Sequence, residues 1–208
     1  MRNEEEPLRD KNGLTEAEFL AAYTPKDYPR PSLTADICVF RKTSEKGLEL
    51  LLIQRGGHPF LGHWATPGGF VNPKETADEA AERELAEETK VRGLKLEPIG
   101  LFSTPGRDPR GWTISYAFVA LDDEGAIPEA GDDAAKAAWF KVAADEADGR
   151  TTIELTHGTD VLTSSFVPCA YPVTGRLHPE EVQGEGLAFD HAAIVAAAWL
   201  ALPEAVRS

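Results

Sequence analysis

Sulfur is scarce in this chain: its 208 residues hold two cysteines and one methionine. Cys38 and Cys169 are too few for a disulfide framework and match no zinc-ligand spacing, so neither a stapled secreted scaffold nor a cysteine-based metal finger is expected. Cys38 lies in the apolar run "TADICVF" and reads as a buried small hydrophobe. No apolar stretch suits a signal-peptide core or a bilayer span. Positive charge is also short, with 21 Lys and Arg against 35 Asp and Glu, a formal net charge of −14. Non-specific nucleic-acid binding is disfavoured by that balance. It also requires that any phosphorylated ligand be met by local arginines or a bound cation. These shortages predict a cytoplasmic protein with no nucleic-acid and no membrane partner.

What is present reads as one domain with additions. Residues 1–30 form a charged arm with a short helix at "LTEAEFLAAY", followed by the proline-rich "TPKDYPRPS". The domain proper spans 31–208. "LTADICVFRK" and "LELLLIQRG" are strand-like runs joined by "TSEKG", a hairpin signal. Further strands are expected at "LKLEPIGLFS", "WTISYAFVALD" and "AAKAAWFKV". Residues 145–186, rich in Thr, Gly and Pro, read as an insertion holding one extra β-hairpin. The Ala-rich end, "AFDHAAIVAAAWLALPEAV", is expected to be a helix packed on the sheet. Mixed strands with one helix early and one late predict a sheet layered between helices.

The strongest helical signal is 76–90, with Thr76 and Glu79 as a capping box and Gly93 just past the end. Ala77, Ala81, Glu84 and Glu88 follow spacings of four, three and four, with Ala80 and Glu87 alongside. The expectation is that Glu84, Glu87 and Glu88 extend the packing face of small alanines, while Glu79 and Glu82 point away. Like charges so placed repel and require a partner. A hard divalent cation suits clustered oxygens, and Mg²⁺ fits where zinc would want His or Cys. Arg83 is placed to orient a carboxylate through its planar fork. The "PGG" at 67–69 allows a sharp turn that presents backbone groups to the same place.

The spacing as a whole, Gly69, five residues, Glu75, seven residues, then "RELAEETKV", resembles the Nudix box of Nudix hydrolases. Gly69, Glu75, Arg83, Glu84, Leu85, Glu87, Glu88 and Val91 match, and Lys90 stands where that pattern has glycine, which suggests a helix cap shifted to Gly93. The resemblance implies a Nudix α/β/α sandwich with a mixed sheet. It further implies Mg²⁺, with Mn²⁺ able to substitute, on Glu84, Glu87, Glu88 and the Gly69 carbonyl, and a homodimer. Arg83 would orient Glu84 or Glu87, and Glu75 would support the loop.

Around the box, "LTADICVF", "PGRDPRGWTISYAFVAL" and "LAFDHAAI" look like the ADP-ribose pyrophosphatase branch and its relatives that regulate NAD metabolism. That resemblance implies hydrolysis of ADP-ribose, or a related nucleoside diphosphate sugar, to AMP and a sugar phosphate. Rivals are a nucleoside triphosphate pyrophosphohydrolase and a non-catalytic ADP-ribose sensor; no DNA-reading module is expected in a chain of this charge that ends shortly after the last helix. Arg55, Gly68, Arg107 and Arg110 are candidate substrate contacts, with a plain strand end or β-turn as the alternative for the arginines. Glu87, Glu129, Asp132 and Asp133 are candidate general bases. Phe60, Trp64 and Trp112 are candidates to stack on adenine, with core packing expected for at least one.

Overall fold

A computed structural model describes residues 7–43, 47–123, 125–131 and 134–207. It divides into two compact units, Met1–Arg30 and Pro31–Ser208. In the first, helix α1 (Glu16–Ala22) is opened by a capping box in which Thr15 and Glu18 exchange hydrogen bonds with each other's backbone N–H groups.

The second unit runs β1 (Ser32–Thr43), β2 (Gly47–Arg55), β3 (Trp64–Ala65), β4 (Gly68–Phe70), α2 (Ala77–Thr89), β5 (Glu97–Phe102) and β6 (Thr113–Leu121). It continues with β7 (Ala134–Ala147), β8 (Arg150–His157), β9 (Asp160–Ala170), β10 (Leu177–Glu185), α3 (His191–Ala201) and α4 (Glu204–Arg207). Among the described residues these strands form one 10-stranded sheet in the order β10-β9-β8-β7-β2-β1-β6-β5, with β3 on β2 and β4 on β1. β1 and β6 are parallel and the other pairs antiparallel, so the sheet is mixed. β1 and β2 pair as the hairpin signal predicts; the tip of its turn lies outside the described residues.

Alternation along the central strands splits the core. Ile37, Val39, Leu51 and Phe118 pack with Ala80, Ala81 and Leu85 of α2. Phe40, Leu50, Leu52 and Phe140 pack on the opposite face with Ile194, Val195 and Trp199 of α3. The sheet is thus layered between helices as expected, and Cys38 is fully buried with its thiol pushed up by desolvation. Among the described residues no helix is long and apolar enough to cross a membrane.

Two expectations are corrected. The hairpin expected within 145–186 is present as β8 and β9, but β10 adds a third strand and all three continue the sheet from β7 as an antiparallel meander. β10 escapes detection because "LHPEEVQGE" carries little apolar alternation and is broken by an irregularity between Glu180 and Gln183. Nor does the cap of α2 shift to Gly93. Lys90 itself takes the left-handed conformation, with φ of 63°, and its N–H donates to the Ala86 carbonyl. Its ammonium also donates to the Glu87 carbonyl, at 3.1 Å, which suits the negative end of the helix dipole. The remaining end carbonyls of α2 accept from the loop 129–131: Glu129 N–H to Thr89 and Gly131 N–H to Glu88, each 2.9 Å.

A lysine in left-handed backbone is strained where glycine is not. Lys90→Gly is expected to raise stability by about 1 kcal/mol, read from urea unfolding, with the slope of the transition unchanged.

Candidate active site

α2 begins where Thr76 caps it: its hydroxyl accepts the Glu79 N–H and the Glu79 carboxylate accepts the Thr76 N–H. One turn further, Arg83 reaches back to the loop after β4. Its guanidinium donates to both oxygens of Glu75, at 3.1 and 2.7 Å, and to the Phe70 carbonyl at 3.0 Å. The same group donates to Glu84 at 2.7 Å and Glu87 at 3.1 Å. The guanidinium holds the Glu75 carboxyl well below the usual carboxylate range.

β4 lies against β1 with Gly69 opposite Ala35 and Gly68 opposite Asp36. Both glycines are required by close approach. A Cβ on Gly69 would come within 2.4 Å of the Glu84 carboxylate, and one on Gly68 within 2.3 Å of the Ala35 carbonyl. The Gly68 N–H donates to the Glu88 carboxylate at 2.9 Å. That bond is modest compensation. Desolvation, and then the charges of Glu84 and Asp36, push the Glu88 carboxyl up to about 8, against the pull of Gly68 and Arg55.

These groups line a cleft of about 680 Å³. Its opposite wall is basic and aromatic. Arg107 is buried, forks onto Asp190 at 2.9 and 2.6 Å, and stands 4.0 Å from Asp36. Arg55 and Arg110 lie over the Phe189 ring, at 4.8 and 5.5 Å, and Arg110 also over Phe70 at 4.9 Å. Arg110 is held by Asp108 at 2.7 Å. His191, the first residue of α3, closes the floor beside Asp36.

A family model for the NUDIX domain matches residues 30–155, more than half of the chain. The chain belongs to this family. The MutT/nudix family protein of Enterococcus faecalis superposes with a TM-score of 0.71 at 35% identity, over 89% of this chain and 68% of that one. The NUDIX domain of Shewanella oneidensis NrtR, solved in complex with ADP ribose, gives 0.55 at 35% identity, over 61% of this chain and 82% of that one. Among curated proteins, the ADP-ribose pyrophosphatase of Methanocaldococcus jannaschii is 44% identical over 113 residues, 54% of this chain and 63% of that protein. The ADPR responsive transcriptional repressor NtrR of Acinetobacter baylyi is 38% identical over 112 residues, 53% and 44% of the two lengths. The chain therefore spans less than two thirds of either curated relative.

Within this Nudix site the structure gathers Gly68, Gly69, Arg83, Glu84, Glu88, Arg55, Arg107 and Arg110 around one cleft. Glu87 departs from the expected packing face: its side chain is 49% exposed, against 15% for Glu84. The reason is that Leu85, Ala86 and Thr89 are buried, which turns the packed face of α2 away from Glu87 and leaves Glu84 and Glu88 at its edge. Glu129 is exposed at the far end of α2 and does not line the cleft. Asp132 and Asp133 lie outside the described residues. Trp64 is core, packed on Phe140 at 4.8 Å, while Trp112 is exposed and Phe60 packs at a tilt on Phe189 at 4.7 Å, neither lining the cleft.

Among the described residues no three His, Cys, Asp or Glu side chains converge as a ready metal cage. The donor chemistry nevertheless fits a hard cation. Glu84 and Glu88 offer oxygen alone, and the Glu88 charge is poorly compensated in its buried position. Sequence reasoning missed Thr34, Asp36, Phe189 and His191. The signal for Asp36 was present: a carboxylate inside the apolar "TADICVF" has no place in a core unless it serves a site.

A carboxyl raised in the folded state binds its proton more tightly there than in the unfolded chain. Its stabilising contribution is therefore complete below the ordinary Glu range and is lost as pH rises towards 8. Metal-free protein is expected to lose on the order of a few kcal/mol of stability between pH 5 and 8 through Glu88. Glu88→Gln should flatten that decline, as read by urea unfolding in chelator across the range.

Proposed function

We propose that this protein hydrolyses the diphosphate bond of ADP-ribose, or a closely related nucleoside diphosphate sugar, yielding AMP and a sugar phosphate such as ribose 5-phosphate. The observation that carries this reading is the asymmetry of the cleft: the carboxylates of Glu84 and the poorly compensated Glu88 on one side, three arginines on the other. A diphosphate with a divalent cation satisfies both walls at once. The relative named ADP-ribose pyrophosphatase and the NrtR domain solved with ADP ribose support the substrate class.

Mg²⁺, with Mn²⁺ as a substitute, would be held by Glu84 and Glu88, with Glu87 at the rim and the Gly69 carbonyl beside them. Bound there, the cation supplies Lewis acidity and neutralises charge that gathers on the phosphoryl oxygens. Arg83 fixes the Glu84 carboxylate, and Gly69 leaves it the room. Arg55 and Arg110 offer positive charge to the diphosphate from the opposite wall, and the Arg107–Asp190 fork keeps that wall rigid. Glu87 is the remaining general-base candidate with a described position near the box. The same proposal takes the protein as cytoplasmic and homodimeric.

A second reading, an ADP-ribose sensor without turnover, is supported by the similarity to the NtrR repressor. Purified protein with Mg²⁺, assayed against ADP-ribose, ADP-glucose, NADH, diadenosine polyphosphates and nucleoside triphosphates, separates the readings. The hydrolase reading expects the highest kcat/KM on a nucleoside diphosphate sugar, with two monophosphates released. Pyrophosphate release from triphosphates as the main activity would overturn it, and ADP-ribose binding without turnover would establish the sensor. Glu84→Gln and Glu88→Gln are each expected to lower kcat about 100-fold or more while the protein stays folded by circular dichroism.

A further inference from the structure

The floor of the cleft carries hydrogen-bonding capacity that the protein leaves unused. Thr34 and Asp36, two apart on β1, share one face of the sheet, and both are buried. The Thr34 hydroxyl is sealed among protein atoms yet has no hydrogen-bond partner. Asp36 receives the Ser115 hydroxyl on Oδ2. Its Oδ1 lies 3.8 Å from His191 Nε2, beyond hydrogen-bond reach.

The protonation of His191 is settled by its other nitrogen. The Thr66 backbone N–H can only donate, and it stands 3.1 Å from Nδ1, so Nδ1 accepts. The proton of a neutral ring is then on Nε2, and burial keeps the ring neutral. Both residues line the cleft, and among the described residues no hydrogen bond reaches Nε2 of His191 or Oδ1 of Asp36. Leaving such groups unpaired is costly unless a ligand completes them.

A phosphate cannot complete them, because it offers only acceptors and Asp36 repels it. A hydroxyl accepts from Nε2–H and donates to Oδ1 at once. Resting on the hydrolase reading above, we propose that Asp36 and His191 form a subsite for a sugar diol of the substrate, beside the carboxylates that face its diphosphate. The diol belongs either to the sugar beyond the diphosphate or to the nucleoside ribose.

The test compares kcat and KM of wild type, His191→Asn and His191→Gln on three compounds. These are ADP-ribose, ADP esterified on its β-phosphate by methanol, and ADP-ribose lacking the nucleoside 2′- and 3′-hydroxyls. His191→Asn should raise KM for ADP-ribose roughly three- to tenfold with kcat little changed, the size of one lost hydrogen bond. Asparagine keeps an acceptor for Thr66 and removes Nε2–H; glutamine returns an N–H near that position and should recover part of the loss. The KM penalty should vanish on one of the two analogues, which identifies the diol. Equal penalties on all three compounds, or none on ADP-ribose, would overturn the subsite. If wild type turns over none of them, the hydrolase reading fails, and calorimetric binding of the same compounds to the same variants decides the subsite by the same pattern.

Discussion

One guanidinium organises the acidic wall of the cleft. Arg83 joins Glu75 and the Phe70 carbonyl, both in the chain before α2, to Glu84 and Glu87 on α2 itself. Without that fork the carboxylates would repel one another and the β4–α2 loop would lose its anchor. Lysine, a single point charge, would not span the same partners. Glu88 is the carboxylate that Arg83 does not reach. The Gly68 N–H donates to it, and desolvation, with the charges of Glu84 and Asp36, raises its proton affinity.

The far wall depends on elements well beyond the box. β9 and β10 seat the start of α3: the Ser164 hydroxyl donates to the Ala192 carbonyl at 2.7 Å, and Gly184 lets the Ala192 methyl approach where a Cβ would collide. The Ala188 N–H donates to the Trp64 carbonyl, tying the approach to α3 to β3. Phe189, Asp190 and His191 follow directly, so the sheet extension positions the residues that hold Arg107, stack Arg55 and Arg110, and face Asp36. What looks in sequence like an appendage is structurally part of the cleft.

Much of this was legible in the chain, because local chemistry writes α2 plainly: the Thr76–Glu79 capping box, the alanine spacing and the arginine beside the glutamates all act within a few residues. The two corrections on α2 have local causes too. Leu85, Ala86 and Thr89 turn the packed face away from Glu87, and Lys90 accepts left-handed backbone while its ammonium caps the helix. On the far wall the arginines were legible, but Phe189, Asp190 and His191 were not, for a different reason. His191 meets Asp36 across 155 positions of chain, and only the assembled sheet brings them together. The apolar setting of Asp36 hinted at a site but not at its partner, and β10 lacks the alternation that marks a strand.

On the proposed function, the Arg83 fork holds the carboxylates in the arrangement that a divalent cation needs. Calorimetric titration of Mg²⁺ into Arg83→Lys protein beside wild type tests it most directly. Affinity weaker by about 10- to 100-fold is expected in the variant, the usual effect of losing a partner that orients metal-binding carboxylates. Equal Mg²⁺ affinity in two folded proteins would contradict it.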